Sequence, residues 1–393
     1  MIKSFICFCF FISIVFANPL ELDVNAKNAI LINVDNGAIL FEKEAHNKAY
    51  PASLTKVFTL WYILENYKDR LSNTFAASKS ALEVVAPEKK IISNYSLKPY
   101  ILETDGVSFD LIQGEILKLN DLLHGMMLVS GNDAANVAAE CISGSVESFM
   151  NELDSYIKKN GIEDTFLCNP HGLHMPEHVS TAYDISKMLK LAMNSEDFLK
   201  VFTCKFYIRP KTNKQNKKEI VTLSKLLKPS DHFYKYAIGS KTGYHAKAKY
   251  NLMSVAKKDD RTLIAVVLGC SNPDVRFEDT KKLFNMAFLE KKEKKIVFDN
   301  KKIFQAKIFG SSKILKSKLK KNLFVEYYSS EEDFLNAYVV YDDLKAPIKK
   351  DQKVATIEIK TKDGKLIKKE NIYAIQNVRR NFFAFLKQLF IKS

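Results

Sequence analysis

Beyond its first seventeen residues this 393-residue chain has no segment approaching the roughly 20 consecutive apolar residues that a spanning helix needs, which excludes a helical integral membrane protein. No repeat of solenoid length recurs, and nothing is low in complexity apart from short lysine runs, so repeat architectures are excluded. Cysteine is sparse at six, and Cys7 and Cys9 lie in the opening segment. Cys141, Cys168, Cys204 and Cys270 remain, widely spaced; four cysteines allow three pairings, and the spacing selects none. A helical metal motif is also missing. His171, His174 and His178 have no acidic residue between the first two, and Pro170, Gly172 and Pro176 mark a loop, so no metal site is expected.

What is present is a globular composition. Hydrophobic residues make up 47% of the chain, which excludes a disordered protein, and one core rarely grows past about 250–300 residues, which predicts two domains. Residues 1–17 read as a secretory leader: Lys3, an apolar run over 5–16 and a Val-Phe-Ala end at Ala17 predict cleavage before Asn18 and export. The net charge of +15 is unevenly placed. Residues 291–393 carry 25 Lys and Arg against 12 Asp and Glu, so nearly all the excess lies in the last quarter. In an exported protein such a region meets anionic lipid rather than nucleic acid, or is a solvated basic surface.

Residues 29–34 and 38–42 flank Asp35-Asn36-Gly37, a strong hairpin signal. From Ser53 onward, Leu54, Val57, Phe58, Trp61 and Leu64 recur at helical spacing, which predicts a helix over 54–65 with Ser53 at its N-terminus. Asn120 is read as the cap of a second helix, which Ser130-Gly131-Asn132 separates from a third over 133–141. A further helix is expected over 182–193 and a strand pair over 250–256 and 263–268, with Lys241-Thr242-Gly243 just before it. Past residue 291 short β-rich runs at 297–298, 323–328, 337–341, 354–359 and 366–372 predict a small all-β domain, the last two joined across Asp363-Gly364. Residues 376–393 place Phe382, Phe385, Leu386, Leu389 and Phe390 on one helical stripe, either an in-plane membrane helix or a helix docked on the β domain.

Ser53-Leu54-Thr55-Lys56 puts a hydroxyl and an amine one helical turn apart. A serine hydroxyl is a weak nucleophile until a base takes its proton, and a lysine serves once burial or neighbouring cations lower its pKa. By itself this four-residue pattern is commonplace. Ser130-Gly131-Asn132 and Lys241-Thr242-Gly243 change its weight, because the three motifs in this order are the signature set of penicillin-binding proteins and serine β-lactamases.

The chain resembles the D-alanyl-D-alanine carboxypeptidases of low molecular mass. The likeness extends to Gly114-Glu115, to Leu122-Leu123-His124-Gly125-Met126, to the run from Ser130 to Ala135, to Asn169-Pro170-His171-Gly172-Leu173 and to Ser180-Thr181-Ala182, covering about 26–289. It implies an α+β fold: a penicillin-binding-protein/β-lactamase-like catalytic domain over 18–290, with antiparallel sheet and helical cluster, a small β domain over 291–375 and a terminal amphipathic helix over 376–393. It also implies that Ser53 is the acyl acceptor and Lys56 its base, that Ser130 relays a proton to the leaving D-alanine, and that Asn132 holds the substrate amide. Lys241 and Thr242 would face the terminal carboxylate, Gly243 would let the backbone approach it, and the amides of Ser53 and Tyr244 would form the oxyanion hole. Lys225 stands where such enzymes often carry a basic residue and is a further candidate for the carboxylate.

The substrate so implied is the D-Ala-D-Ala end of a peptidoglycan stem peptide, hydrolysed without a cofactor; β-lactams would acylate the same serine. The setting would be the periplasmic face of the cytoplasmic membrane, held peripherally by the terminal helix. Endopeptidase or transpeptidase activity would use the same groups, and a catalytically idle wall-binding protein is the alternative from another class. The Glu-x-x-Leu-Asn segment of class A β-lactamases is absent between the second and third motifs. Two departures stand out: Ala248-Lys249-Tyr250 replaces the usual Ala-Gly-Tyr, and the span 86–109 is longer than usual.

Overall fold

The computed structural model describes residues 7–10, 20–331, 336–360, 364 and 366–385. They form two compact units, one over 20–289 and one built from 290 onward together with the N-terminal segment.

The first unit is organised by a five-stranded antiparallel sheet in the order Ala237–His245, Lys249–Lys258, Arg261–Cys270, Asn28–Asn33, Ile39–Lys43. The expected hairpins form, and the Lys-Thr-Gly motif, just ahead of the second strand pair as expected, lies within a strand of its own at the sheet edge. The central strands are apolar on both faces because both are covered. Ile30, Ile32, Met253, Val255, Ile264 and Val266 join the helical core on one side, while Ala29, Leu31, Leu252, Leu263, Ala265 and Val267 pack on the other with Phe277, Leu283 and Phe284 of the helix Val275–Leu289.

The helical core gathers Thr55–Asn66, Leu119–Leu128, Asn132–Ser143, Val146–Lys159, Ala182–Ala192 and Glu196–Phe202. Asn120 is not the cap that its residue type suggested. The helix begins one residue earlier, the Asp121 carboxylate accepts the Lys118 amide at 3.2 Å, and Asn120 turns its amide to the Tyr207 hydroxyl. The long segment carries a short helix, Pro87–Ile92, and a parallel pairing of Val84–Val85 with Leu102–Glu103.

In the second unit a sheet runs Cys7–Phe10, Asn336–Tyr341, Lys353–Lys360, Leu366–Ala374, Leu315–Leu319, Phe304–Ala306, beside a separate pair, Glu293–Phe298 with Leu323–Tyr327. Strand 304–306 escaped the sequence reading because it is only three residues long, and strand 315–319 because lysines interrupt its apolar positions. Part of the expected leader supplies an edge strand, whose backbone groups satisfy those of the neighbouring edge. Asp363 lies outside the described residues.

The expected helix over 376–393 is corrected at its start. Val378 pairs with Ile348 in extended form and the Arg380 guanidinium donates to the Ala346 carbonyl, so helical geometry begins only after Asn381. Phe385 packs edge-on against Phe309, while Phe382 and Phe383 are 67% and 81% exposed; residues 386–393 lie outside the described part.

One contact fastens the sheet to the helix behind it: the buried Asp279 carboxylate accepts the Ala26 amide at 2.8 Å, just ahead of strand Asn28–Asn33. Asp279→Ala leaves a buried N–H unpaired and is expected to cost about 1–3 kcal/mol. The check is a lowered urea midpoint at unchanged slope; an unaltered midpoint refutes the assignment.

Candidate active site

Ser53 lies in a single 3-10 turn, Ala52–Leu54, that leads into the helix Thr55–Asn66. The turn is pinned from several sides. Ala52 has a left-handed φ of 50°, and the Asn251 side chain donates to the Tyr50 carbonyl at 2.8 Å and the Pro51 carbonyl at 3.2 Å. Gly172, at φ 91°, is so close that a Cβ there would sit 1.9 Å from the Ala52 carbonyl oxygen; a Cβ on Gly243 would meet the Ser53 nitrogen at 3.2 Å. The edge strand thus runs directly beside the Ser53 amide, and the next amide along it belongs to Tyr244.

Lys56 points back one turn to the same spot. Its Nζ is 3.0 Å from Ser53 Oγ, and it donates to Asn132 Oδ1 and to the His171 carbonyl, each at 2.7 Å. Burial, and then the charge of Lys241, hold its pKa well below the usual lysine value, with Asp133 opposing. Lys241 Nζ donates to Ser130 Oγ at 2.8 Å and to the Thr242 carbonyl at 3.0 Å, and burial together with the Arg276 guanidinium lowers its pKa to about 7.

Ser130 follows the helix Leu119–Leu128 in a left-handed conformation, φ 63°, and Asn132 opens the next helix with its amide on the Val107 carbonyl at 2.9 Å. The Asn132 amide group also borders Gly106, so the long segment 86–109 ends against the site. Ser53, Lys56 and Asn132 therefore form one hydrogen-bonded group and Ser130 and Lys241 another, near enough that the Lys241 charge acts on Lys56, with Thr242 and Gly243 beside them. Tyr244 is 54% exposed, its ring stacked on Tyr250 at 4.4 Å.

Lys225 is placed differently. Its ammonium pairs with Asp274 at 3.0 Å, a carboxylate that His232 also contacts at 3.0 Å, on an exposed surface. Sequence reading missed Arg276, which donates to the Gly243 carbonyl at 3.3 Å and lies over the Tyr250 ring. It missed Asn251 as well. Both act from outside the motifs, and nothing in their local sequence marks them. At Lys249 the left-handed backbone that glycine would supply is kept, at φ 59°, by a lysine at the start of its strand.

His171 and His178 serve the loop. The Leu173 amide donates to His171 Nδ1 and its Nε2 meets the Tyr100 carbonyl at 3.2 Å. His178 Nδ1 accepts from the Cys168 amide and Nε2 donates to Thr55 Oγ1 at 2.8 Å, fixing the neutral tautomer beside the Ser53 helix. The four later cysteines are all free thiols.

A buried serine–lysine pair, a second serine–lysine pair near it and an edge strand running beside the first serine's amide make up a site suited to acyl transfer of the active-serine type. The chain matches the family model for D-alanyl-D-alanine carboxypeptidase over residues 15–272, and the model for the penicillin-binding protein 5 C-terminal domain over 292–380. It is 30% identical to the D-alanyl-D-alanine carboxypeptidase DacF of Bacillus subtilis, over 94% of this chain and 90% of that one, and 28% identical to DacC of Escherichia coli, over 92% and 86%. Similar solved structures include the carboxypeptidase DacD of Francisella tularensis (TM-score 0.63, 21% identity, 93% and 97% covered) and penicillin-binding protein 5 of Haemophilus influenzae (TM-score 0.61, 24% identity, 92% and 100% covered). The chain belongs to the D-alanyl-D-alanine carboxypeptidase family, peptidase S11.

Burial holds the His178 pKa down at about 3, helped by the neighbouring imidazoles and Lys56. The unfolded chain therefore binds this proton first, and stability falls as pH drops from about 6.5 towards 3, by up to about 1.4 kcal/mol per pH unit for the group. Urea unfolding of the wild type and His178→Gln between pH 4 and pH 7 is expected to give the variant the shallower decline. Equal slopes would contradict the assignment.

Proposed function

We propose that the protein is a serine D-alanyl-D-alanine carboxypeptidase that removes the terminal D-alanine from peptidoglycan stem peptides through an acyl-enzyme at Ser53. The observation that carries this reading is the fully buried Lys56 amine, its pKa held well below the usual lysine value by burial and Lys241, 3.0 Å from Ser53 Oγ. A neutral amine donates to Asn132 and the His171 carbonyl and turns its lone pair to the Ser53 hydroxyl. It takes that proton as Oγ attacks the carbonyl of the penultimate D-alanine. The amides of Ser53 and Tyr244 receive the oxyanion. Lys241, Thr242 and Arg276 form the cationic end that attracts the terminal carboxylate, and Asn132 faces the substrate amide. As the C–N bond breaks, Ser130 passes a proton to the departing nitrogen. Water, with Lys56 again as base, then hydrolyses the ester. β-Lactams, whose carboxylate mimics the peptide end, acylate the same oxygen.

Lys225 is left out of the carboxylate site, because its ion pair with Asp274 already uses its charge. Transpeptidase or endopeptidase chemistry would need the same groups and a different acceptor. The completeness of the two hydrogen-bonded groups argues against an idle scaffold. The proposed setting is the cell-wall side of the cytoplasmic membrane, with residues 1–17 as the leader and 18–290 catalytic, followed by 291–375 as β domain. The end of the chain from 376 would be a peripheral anchor on anionic lipid. Among the described residues no helix is long and apolar enough to cross a membrane, and Phe382 and Phe383 stand exposed beside Arg379 and Arg380.

The mature protein is expected to release free D-alanine from an acylated L-Lys-D-Ala-D-Ala peptide, with release abolished by Ser53→Ala and by penicillin. Release that persists in Ser53→Ala would sink the mechanism; penicillin labelling of Ser53 without release would turn it to transpeptidation. The alkaline limb of kcat/KM reports the free enzyme and should bend at about 7, where Lys241 loses its charge. Arg276 holds that pKa down, so in Arg276→Gln the limb should move to higher pH, and an unmoved limb would contradict the coupling.

A further inference from the structure

Ser130 holds a backbone conformation that residues with a side chain rarely adopt, φ 63°, so its surroundings must impose it. The residue pressed against its neighbour Gly131 is Phe109, at the end of the long segment 86–109. The Phe109 ring is fully buried and fills the space over two glycines that bracket Ser130. A Cβ on Gly125 would lie 2.5 Å from the ring, and one on Gly131 would lie 2.7 Å from Phe109 Cβ. The backbone here is stitched to the motif. The Asp133 carboxylate accepts from the amides of Phe109 at 2.7 Å and Leu111 at 3.0 Å and from the Ser108 hydroxyl at 2.7 Å, while the Asn132 amide donates to the Val107 carbonyl.

The ring is backed by a charge pair that the mechanism does not use. Arg209, on the strand Phe206–Arg209, lies over Phe109 with its guanidinium carbon 5.7 Å from the ring centroid and pairs with Glu115 at 3.4 Å, both residues almost wholly buried. Each partner is fixed in turn. Arg209 donates to the Asn216 carbonyl at 2.7 Å, and Glu115 accepts from Thr212 at 2.8 Å, Gln215 at 2.7 Å and the Ile112 amide at 3.0 Å. Arg209 Nε is buried without a hydrogen-bond partner, and a buried ion pair held in this way is better suited to fixing geometry than to adding stability.

We propose that Phe109, clamped by the Arg209–Glu115 pair, is a positioning residue that holds the Ser130 hydroxyl where it hands a proton to the departing D-alanine nitrogen. The inference rests on the carboxypeptidase reading and on Ser130 as relay. It adds that the hairpin formed by Phe206–Arg209 and Lys218–Val221, which carries none of the three motifs, sets the efficiency of leaving-group departure. An amide nitrogen must gain a proton as its bond to carbon breaks, whereas an ester oxygen leaves with far less help. A displaced Ser130 should therefore harm the two leaving groups unequally.

The test compares an acylated L-Lys-D-Ala-D-Ala peptide with the ester analogue ending in D-lactate, using wild type, Phe109→Leu and the charge-neutral double variant Arg209→Met/Glu115→Gln. Active sites are counted by covalent penicillin. In both variants kcat/KM for the amide should fall about 10- to 100-fold and that for the ester less than about threefold. Equal losses on the two substrates would mean a merely structural role and overturn the proposal, as would no loss on the amide. If Phe109→Leu yields no penicillin-reactive protein, Phe109 is a folding requirement and the proposal falls as well. Failure of the underlying reading looks different: the wild type itself would release neither D-alanine nor D-lactate.

Discussion

The interaction on which the site depends is the enclosure of the Lys56 amine. Three oxygens surround it, from Ser53, Asn132 and the His171 carbonyl, and they belong to separate stretches of chain. An ammonium taken out of water is costly unless it is paired, and no carboxylate among its recorded contacts pairs with it. The cheaper state is the neutral amine, which is what a base for a serine hydroxyl must be. The loop of His171, the turn of Ser53 and the start of the Asn132 helix must therefore be brought to within hydrogen-bonding distance of one atom. The tight approach of Gly172 to Ala52 and the hold of Asn251 on the residues before Ser53 follow from that demand.

Much of this was legible in the sequence because its periodicities are local. Helix 55–66 repeats apolar residues at three and four, the opening hairpin turns at Asn-Gly, and the motifs stand at the points where elements begin or break. What was hidden acts through space. Arg276 reaches the edge strand from a helix some thirty residues downstream, and Asn251 reads as an ordinary strand residue until its amide is seen beneath Tyr50. Lys225 shows the converse: its position relative to a Leu-Leu pair suggested a ligand contact, but the nearby Asp274 captures its charge. Asn120 was misread because a cap is defined by backbone geometry, and Asp121 supplied the bond one residue later.

Lys249 and the terminal segment mark two other boundaries of sequence reading. A glycine is favoured where φ is positive, yet the requirement falls on the backbone, and a lysine meets it at a modest conformational cost while its side chain remains exposed. The stripe of Phe382 and Phe385 does read as a helical face, but an amphipathic pattern does not specify where a helix starts. Here the bridge from Val378 to Ile348 keeps the chain extended until Asn381, whose side chain accepts the Ala384 amide in the manner of an N-cap.

The charges around the reacting serine also assign roles. Lys241 depresses the proton affinity of Lys56, and Arg276 depresses that of Lys241 in turn. The two lysines are not equivalent. Both are buried, but Lys56 donates to an uncharged amide and a carbonyl, whereas Lys241 donates to the Ser130 hydroxyl and the carbonyl of the half-buried Thr242 on the edge strand. In the proposed reaction an anionic peptide terminus arriving beside Thr242 and Arg276 would raise the proton affinity of Lys241. On that proposal substrate binding would keep Lys241 charged to hold the carboxylate while Lys56 serves as the base for Ser53. The fold gathers Lys56, Lys241 and Arg276 as like charges, an arrangement that an anionic ligand would complete.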